Sequence, residues 1–177
     1  MTRYCTEYNS TFAADSRIDY KIHRPNMITE LQNHIEPCLD YCALTDIWKA
    51  SVKATHDFVS ADDIEFYSDR IPRDYMPQMD MYAIRDGHGQ WCAFIGLSAE
   101  MIEMLFVRPD SMGKGYGSTL LRFAVEQKGI RKVDVNEQNT RASYFYKNHG
   151  FSVTGRDDTD AEGMPYPILH LELTEDK

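Results

Sequence analysis

A chain of 177 residues, 42% hydrophobic and 12% aromatic, is long enough to bury one sizeable core and is read as essentially a single folded domain. Its formal net charge of −9 speaks against nucleic acid, whose binders carry a basic footprint. No run of about 18 apolar residues is present to span a membrane, and the N-terminal stretch lacks the apolar centre of a secretory signal, so a cytoplasmic monomer or homodimer is expected.

The first 33 residues are polar, follow neither the helical nor the strand period, and read as an N-terminal extension; residues 34–174 read as the domain proper. A short strand is expected near His34–Cys38. From Ala43 the residues Leu44, Ile47, Trp48, Ser51 and Val52 recur at three- and four-residue spacing, which predicts an amphipathic helix. A second helix starts at Ser60, with Asp62 and Asp63 in its first turn, and Pro72 limits its length. The period then changes to that of strands. Met79–Asp86 and Gln90–Ser98 are joined by Gly87-His88-Gly89 as a hairpin, and Glu100–Val107 adds a third strand. A glycine-rich loop leads into a helix with Leu120, Leu121, Ala124 and Val125 inward and Gly129 past its end. The strand Arg131–Asn136 then completes a β-α-β unit. A last helix from Thr140 closes on Gly150, and two strands, Phe151–Arg156 and Tyr166–Leu173, end the chain. The fold class is α/β of the α+β kind, a mixed and mostly antiparallel central sheet flanked by helices.

Cys5, Cys38, Cys42 and Cys92 show neither a CxxC pair nor any zinc spacing, so they are read as reduced packing residues and no metal is expected. The glycine loop fails two phosphate fingerprints. A Walker loop needs a glycine where Arg108 stands and a Ser or Thr where Gly115 stands; the dinucleotide pattern needs a glycine at Ser118. What both loops share survives here. Met112, Gly113, Lys114, Gly115, Tyr116, Gly117 and Ser118 form a small-residue turn into a helix, where backbone N–H groups and the positive helix end meet an anion.

The stretch LFVRPDSMGKGYGSTLL resembles the coenzyme A signature of the GCN5-related N-acetyltransferases, Gln/Arg-x-x-Gly-x-Gly/Ala, with Gly115 and Gly117 on its two small positions and Met112 where the family prefers Gln or Arg. NEQNTRASYFYKNHGF resembles the family's second signature through Asn139, Ala142, Phe145, Tyr146, Gly150 and Phe151. SVKATHDF and the later GRDDTD and PYP are similar to a subgroup of small bacterial acetyltransferases, so that the resemblance covers about His34 to Leu173.

The resemblance implies the GNAT fold with a splayed β-α-β site, acetyl-CoA as cosubstrate, and direct acetyl transfer to a primary amine of a small molecule or a protein. It implies that Leu105, Phe106 and Val107 offer backbone groups to the pantetheine and thioester, that Asn139 reaches the cofactor arm, and that Tyr146 is the acid toward sulfur. Two residues are candidates for the base. Glu103 lies on the strand before the loop, and His56, beside Asp57, falls between the first two helices, where this family builds its acceptor pocket; Tyr166 is placed across from it. A different class of function, a non-catalytic acyl-CoA-binding or sensing module, would keep the glycine loop but need neither base nor tyrosine.

Overall fold

The structure, a computed structural model, describes residues 34–174, and the expected extension at 1–33 lies outside them. Helix α1 (Tyr41–Thr55) is capped by Asp40, whose carboxylate accepts from the Ala43 amide at 3.2 Å, and buries Leu44, Ile47, Trp48, Ser51 and Val52 on one face. Helix α2 (Ala61–Arg70) is capped by Ser60, which accepts from Asp63 N at 3.1 Å. Pro72 ends the regular helix but not the helical path: the chain continues through a π-helical turn, Ile71–Tyr75, and a 3-10 turn, Met76–Gln78.

Seven strands follow in one sheet: β1 (Ile35–Pro37), β2 (Asp80–Arg85), β3 (Trp91–Leu97), β4 (Met101–Val107), β5 (Lys132–Asn136), β6 (Phe151–Asp157) and β7 (Ile168–Leu173), in the spatial order β1-β2-β3-β4-β5-β7-β6. Every neighbouring pair is antiparallel except β4 and β5. The last strand begins at Ile168 rather than Tyr166, which sits in the connection before it and buries its ring there. Helix α3 (Tyr116–Arg122) widens into a π-helical segment, Phe123–Gln127, before Gly129 turns the chain with φ 72°. Helix α4 (Thr140–Asn148) precedes β6.

The sheet carries a core on each face. Ile102, Leu120, Leu121, Val133, Tyr146, Phe151 and Leu171 pack with α3 and α4 on one side; Leu44, Trp48, Ile64, Met76, Met81 and Phe94 pack with α1 and α2 on the other. Phe94 is fully buried, and truncating such a ring to alanine costs about 3–5 kcal/mol. Cys38 and Cys92 are buried free thiols, whereas Cys42 is disulfide-bonded, so the reading of all four cysteines as reduced fails there: sequence spacing does not reveal which thiols the fold brings together.

The foot of the glycine loop is tied down by Arg108. Its guanidinium donates to Asp86 at 2.7 Å, to Asp110 at 2.6 Å and to the Trp91 carbonyl at 3.1 Å. Asp86 also accepts from the amides of His88 and Gln90, closing the β2–β3 turn. Arg108 first, then those two amides, holds the Asp86 carboxyl down at about 2.

Candidate active site

Strands β4 and β5 pair only at their start, Met101 with Lys132 and Ile102 with Val133, and then part. The reason lies on the other edge of β4, which keeps its ladder to β3 as far as Val107 and has no freedom to follow β5. The Arg108 amide donates to Cys92 O at 2.8 Å, so by strand alternation the amides of Met104 and Phe106 also face β3, while those of Leu105 and Val107 face the gap. Unpaired strand N–H groups in a protein interior need an acceptor, and a ligand chain laid along β4 supplies one.

A cleft of about 440 Å³ opens at this gap, a size suited to a bound small molecule. Leu105, Phe106 and Val107 form one wall; Met112, Gly113, Gly115, Tyr116, Gly117 and Ser118 form the end; Asn139, Arg141, Ala142, Phe145 and Tyr146 of α4 form the opposite wall. Ser51, Thr55 and His56 reach in from the end of α1. Gly113 and Gly115 adopt left-handed φ of 76° and 89°, and Gly115 is the residue from which α3 starts. A Cβ at Gly113 would meet nothing within 4 Å, and one at Gly117 would stand 3.6 Å from the Phe145 ring and 3.7 Å from Val107. The turn therefore leaves an open cradle of backbone amides against a helix start, the form that suits a pyrophosphate.

Tyr146 is 5% exposed, its ring held edge-on between Phe145 and Phe151. Burial pushes its phenol well above the ordinary value, and the hydroxyl has no hydrogen-bond partner among the described residues. A buried, protonated donor without an acceptor, at the wall of a cleft, is a group waiting for one.

Asn139 and His56 bridge the cleft. The Asn139 carbonyl oxygen accepts from Ala142 N at 3.0 Å, capping α4, which leaves its amide nitrogen facing His56 Nε2 at 3.1 Å. An amide N–H only donates, so His56 Nε2 is the acceptor and Nδ1 carries the proton, given to Thr55 Oγ1 at 2.8 Å, which passes its own to Ser51 O. Desolvation lowers the His56 pKa below 6.5, with Asp57 opposing, so the neutral ring is the resting form. At the cleft mouth His149 repeats the logic: Nδ1 donates to Phe145 O, and Nε2 accepts from the Ser118 hydroxyl at 3.0 Å.

Two of the expected site residues lie apart. Glu103 is the extra residue where β4 slips its register against β3, exposed and outside the cleft lining, and Lys114 is likewise exposed and outside that lining. Sequence reasoning missed Arg141, Ser51 and Thr55, and it missed a strap laid against α2. There the β6–β7 connection folds onto α2: Tyr166 donates to Asp63, Tyr67 to Asp160 at 2.5 Å, and Tyr75 and Arg70 both to Glu162. Burial first, then the carboxylate beside it, pushes the Tyr75 phenol up to about 12, and Tyr67 shifts the same way. The rings of Phe94, Phe106, His56, Phe58 and Tyr166 run as a continuous row from the sheet to this strap. Among the described residues no His, Cys, Asp and Glu cluster suits a metal, and no helix is long and apolar enough to cross a membrane.

Residues 78–153 match the acetyltransferase (GNAT) domain family. Over 128 residues the chain is 39% identical to the peptidyl-lysine N-acetyltransferase YjaB of Escherichia coli, covering 72% of this chain and 86% of that one, and 38% identical to its namesake in Salmonella typhimurium. The solution structure of apo YjaB from Escherichia coli superimposes with a TM-score of 0.73 at 35% identity, over 80% of this chain and 97% of that chain. PaiA N-acetyltransferase from Thermoplasma acidophilum, solved in complex with coenzyme A, shares the fold with a TM-score of 0.60 at 21% identity, over 79% of this chain and 99% of that chain.

Proposed function

The chain belongs to the GNAT superfamily of N-acetyltransferases, and from that premise we propose that it moves the acetyl group of acetyl-CoA onto lysine side chains of proteins, in the cytoplasm, by direct transfer in the parted cleft. It is an acyltransferase; a purely acyl-CoA-sensing role is not favoured by relatives that are named as enzymes. The observation that carries the residue assignment is the Tyr146 hydroxyl, unpartnered at the wall of a cleft whose opposite wall offers the free amides of Leu105 and Val107.

In this reading the pantetheine arm lies along β4, with the thioester carbonyl accepting from the strand amides and the pyrophosphate resting in the Met112–Ser118 turn. The neutral amine attacks the carbonyl carbon; the C–N bond forms and the C–S bond breaks. Tyr146 gives its proton to the departing sulfur and recovers one from solvent, a task for which a protonated phenol is suited. The amine's own proton goes to His56 Nε2, whose lone pair becomes free when the acceptor displaces the Asn139 N–H. Glu103, unpaired at the β4 bulge, is assigned the longer route through water.

The experiment is to incubate the full chain with acetyl-CoA and a set of lysine-bearing proteins and small amines, following thiol release and acetyl-lysine by mass spectrometry. Turnover with small amines and none with protein lysines would overturn the acceptor assignment and leave the reaction class standing.

A further inference from the structure

The loop signature of this family carries a cation or an amide side chain at the position held here by Met112, and a chain of net charge −9 must still attract a ligand bearing several phosphate charges. Arg108 cannot fill the gap, because Asp86, Asp110 and the Trp91 carbonyl already occupy its guanidinium. Lys114 lies outside the cleft lining.

Among the described residues that line the cleft, Arg141 is the sole permanent cation. It is the second residue of α4, two positions beyond the Asn139 cap, and it lines the same cleft as the glycine turn. Its guanidinium is exposed and makes no hydrogen bond or ion pair with any described residue. In a structure where Arg70, Arg73, Arg85, Arg108, Arg122 and Arg156 each meet a carboxylate, this free arginine stands out. A guanidinium offers paired N–H donors matched to phosphate oxygens.

We propose that Arg141 supplies the side-chain cation for the pyrophosphate of coenzyme A, moved from the loop to the facing helix. Met112 then packs as an apolar residue at the same end of the cleft. The proposal rests on reading the cleft as the coenzyme A site.

Calorimetry with free coenzyme A on the full chain tests it without any acceptor. Arg141→Gln weakens binding about tenfold and flattens its salt dependence, and Arg141→Lys recovers part of the loss. Dephospho-coenzyme A shows the same loss in Arg141→Gln, whereas pantetheine, which has no phosphate, binds both forms equally. Adding Met112→Arg to the Arg141→Gln chain restores affinity, which a merely structural role for Arg141 would not permit. The melting temperature stays unchanged, since Arg141 has no partner among the described residues to lose. Unaltered coenzyme A affinity in a folded Arg141→Gln variant overturns the proposal, and so does a loss confined to ligands bearing the 3′-phosphate. Failure of the wild-type chain to bind coenzyme A at all would instead overturn the reading of the cleft.

Discussion

The two sides of the cleft are built from different materials. On the side proposed for the cofactor the groups are backbone: the amides that β4 turns toward the gap, and the turn through Gly113, Gly115 and Gly117. On the side proposed for the acceptor they are side chains, Tyr67 and Arg70 of α2, Tyr75 of the π-helical turn after it and Tyr166 of the β6–β7 connection, each pinned to a carboxylate. A backbone site suits one invariant ligand, because it depends on little but chain path. A side-chain site can be changed one residue at a time without disturbing the sheet, which is where selection for a particular acceptor has room to act.

The sharpest test of that contrast is Gly115→Asp. It puts a Cβ at φ 89° and a negative charge where an anion sits, and coenzyme A binding falls at least about 100-fold by calorimetry. Gly117→Asp, at a helical position without that strain, isolates the charge; unchanged affinity in both folded variants would mean that the turn does not hold the phosphates.

Next in size is Tyr146→Phe, which keeps the ring between Phe145 and Phe151 and deletes the proton. The rate with an established acceptor drops about 100-fold while coenzyme A affinity holds, because the hydroxyl meets charge that appears on sulfur only during transfer. Wild-type turnover in this variant would mean that solvent or another group protonates the thiolate.

His56 joins the two sides through Asn139 and makes the junction pH-sensitive. An imidazolium has no lone pair for the Asn139 N–H, so protonation breaks the bridge. The fold lowers this pKa, so it favours the neutral ring; stability is full above about 6.5 and declines as pH falls below that value, where the unfolded chain takes up the proton more readily, whereas the rate declines only as pH falls through the lower native value. The acid limb of both profiles is expected to disappear in His56→Gln. If it persists unchanged, another group owns it.

On the strap, the Tyr67→Phe, Tyr75→Phe double variant removes two hydroxyls and leaves the rings. The KM for the acceptor shifts several-fold, on the order of 1 kcal/mol per lost bond, and the KM for acetyl-CoA stays put. Equal shifts in both constants would erase the division between the sides.

The smallest effect belongs to a cluster remote from the cleft. His170 on β7 bridges Asp134 of β5 at 2.7 Å and Asp157 of β6 at 3.1 Å, and the bond to Asp134 above all raises its pKa. A raised imidazole stabilises the fold below 6.5 and loses that contribution as pH climbs through the shifted value, and exposure keeps it small. His170→Gln removes this alkaline-side drift in melting temperature and leaves turnover alone.

What the sequence determined by itself follows from local chemistry. Glycines at left-handed φ, a cap at Ser60 or Asn139, and the change of apolar period from helix to strand are properties of neighbouring residues, so the elements, the mixed sheet and the glycine turn were legible along the chain, whereas the Asp40 cap was not read. The strands came out within a residue or two, and the misplacement of Tyr166 in the last one is telling. Its alternation reads as strand, but Asp63, more than a hundred residues earlier, holds it in the connection instead. The tertiary structure alone decided whatever depends on distant partners: which amides of β4 go unpaired, which ring nitrogen of His56 keeps its lone pair, that Glu103 falls on a bulge, and that Arg141 lines the same cleft as the glycine turn without an ion pair to any described carboxylate. Those facts are set by which groups the sheet brings within about 3 Å of one another, and hydrogen-bond partners chosen at that range leave no periodic trace in the chain.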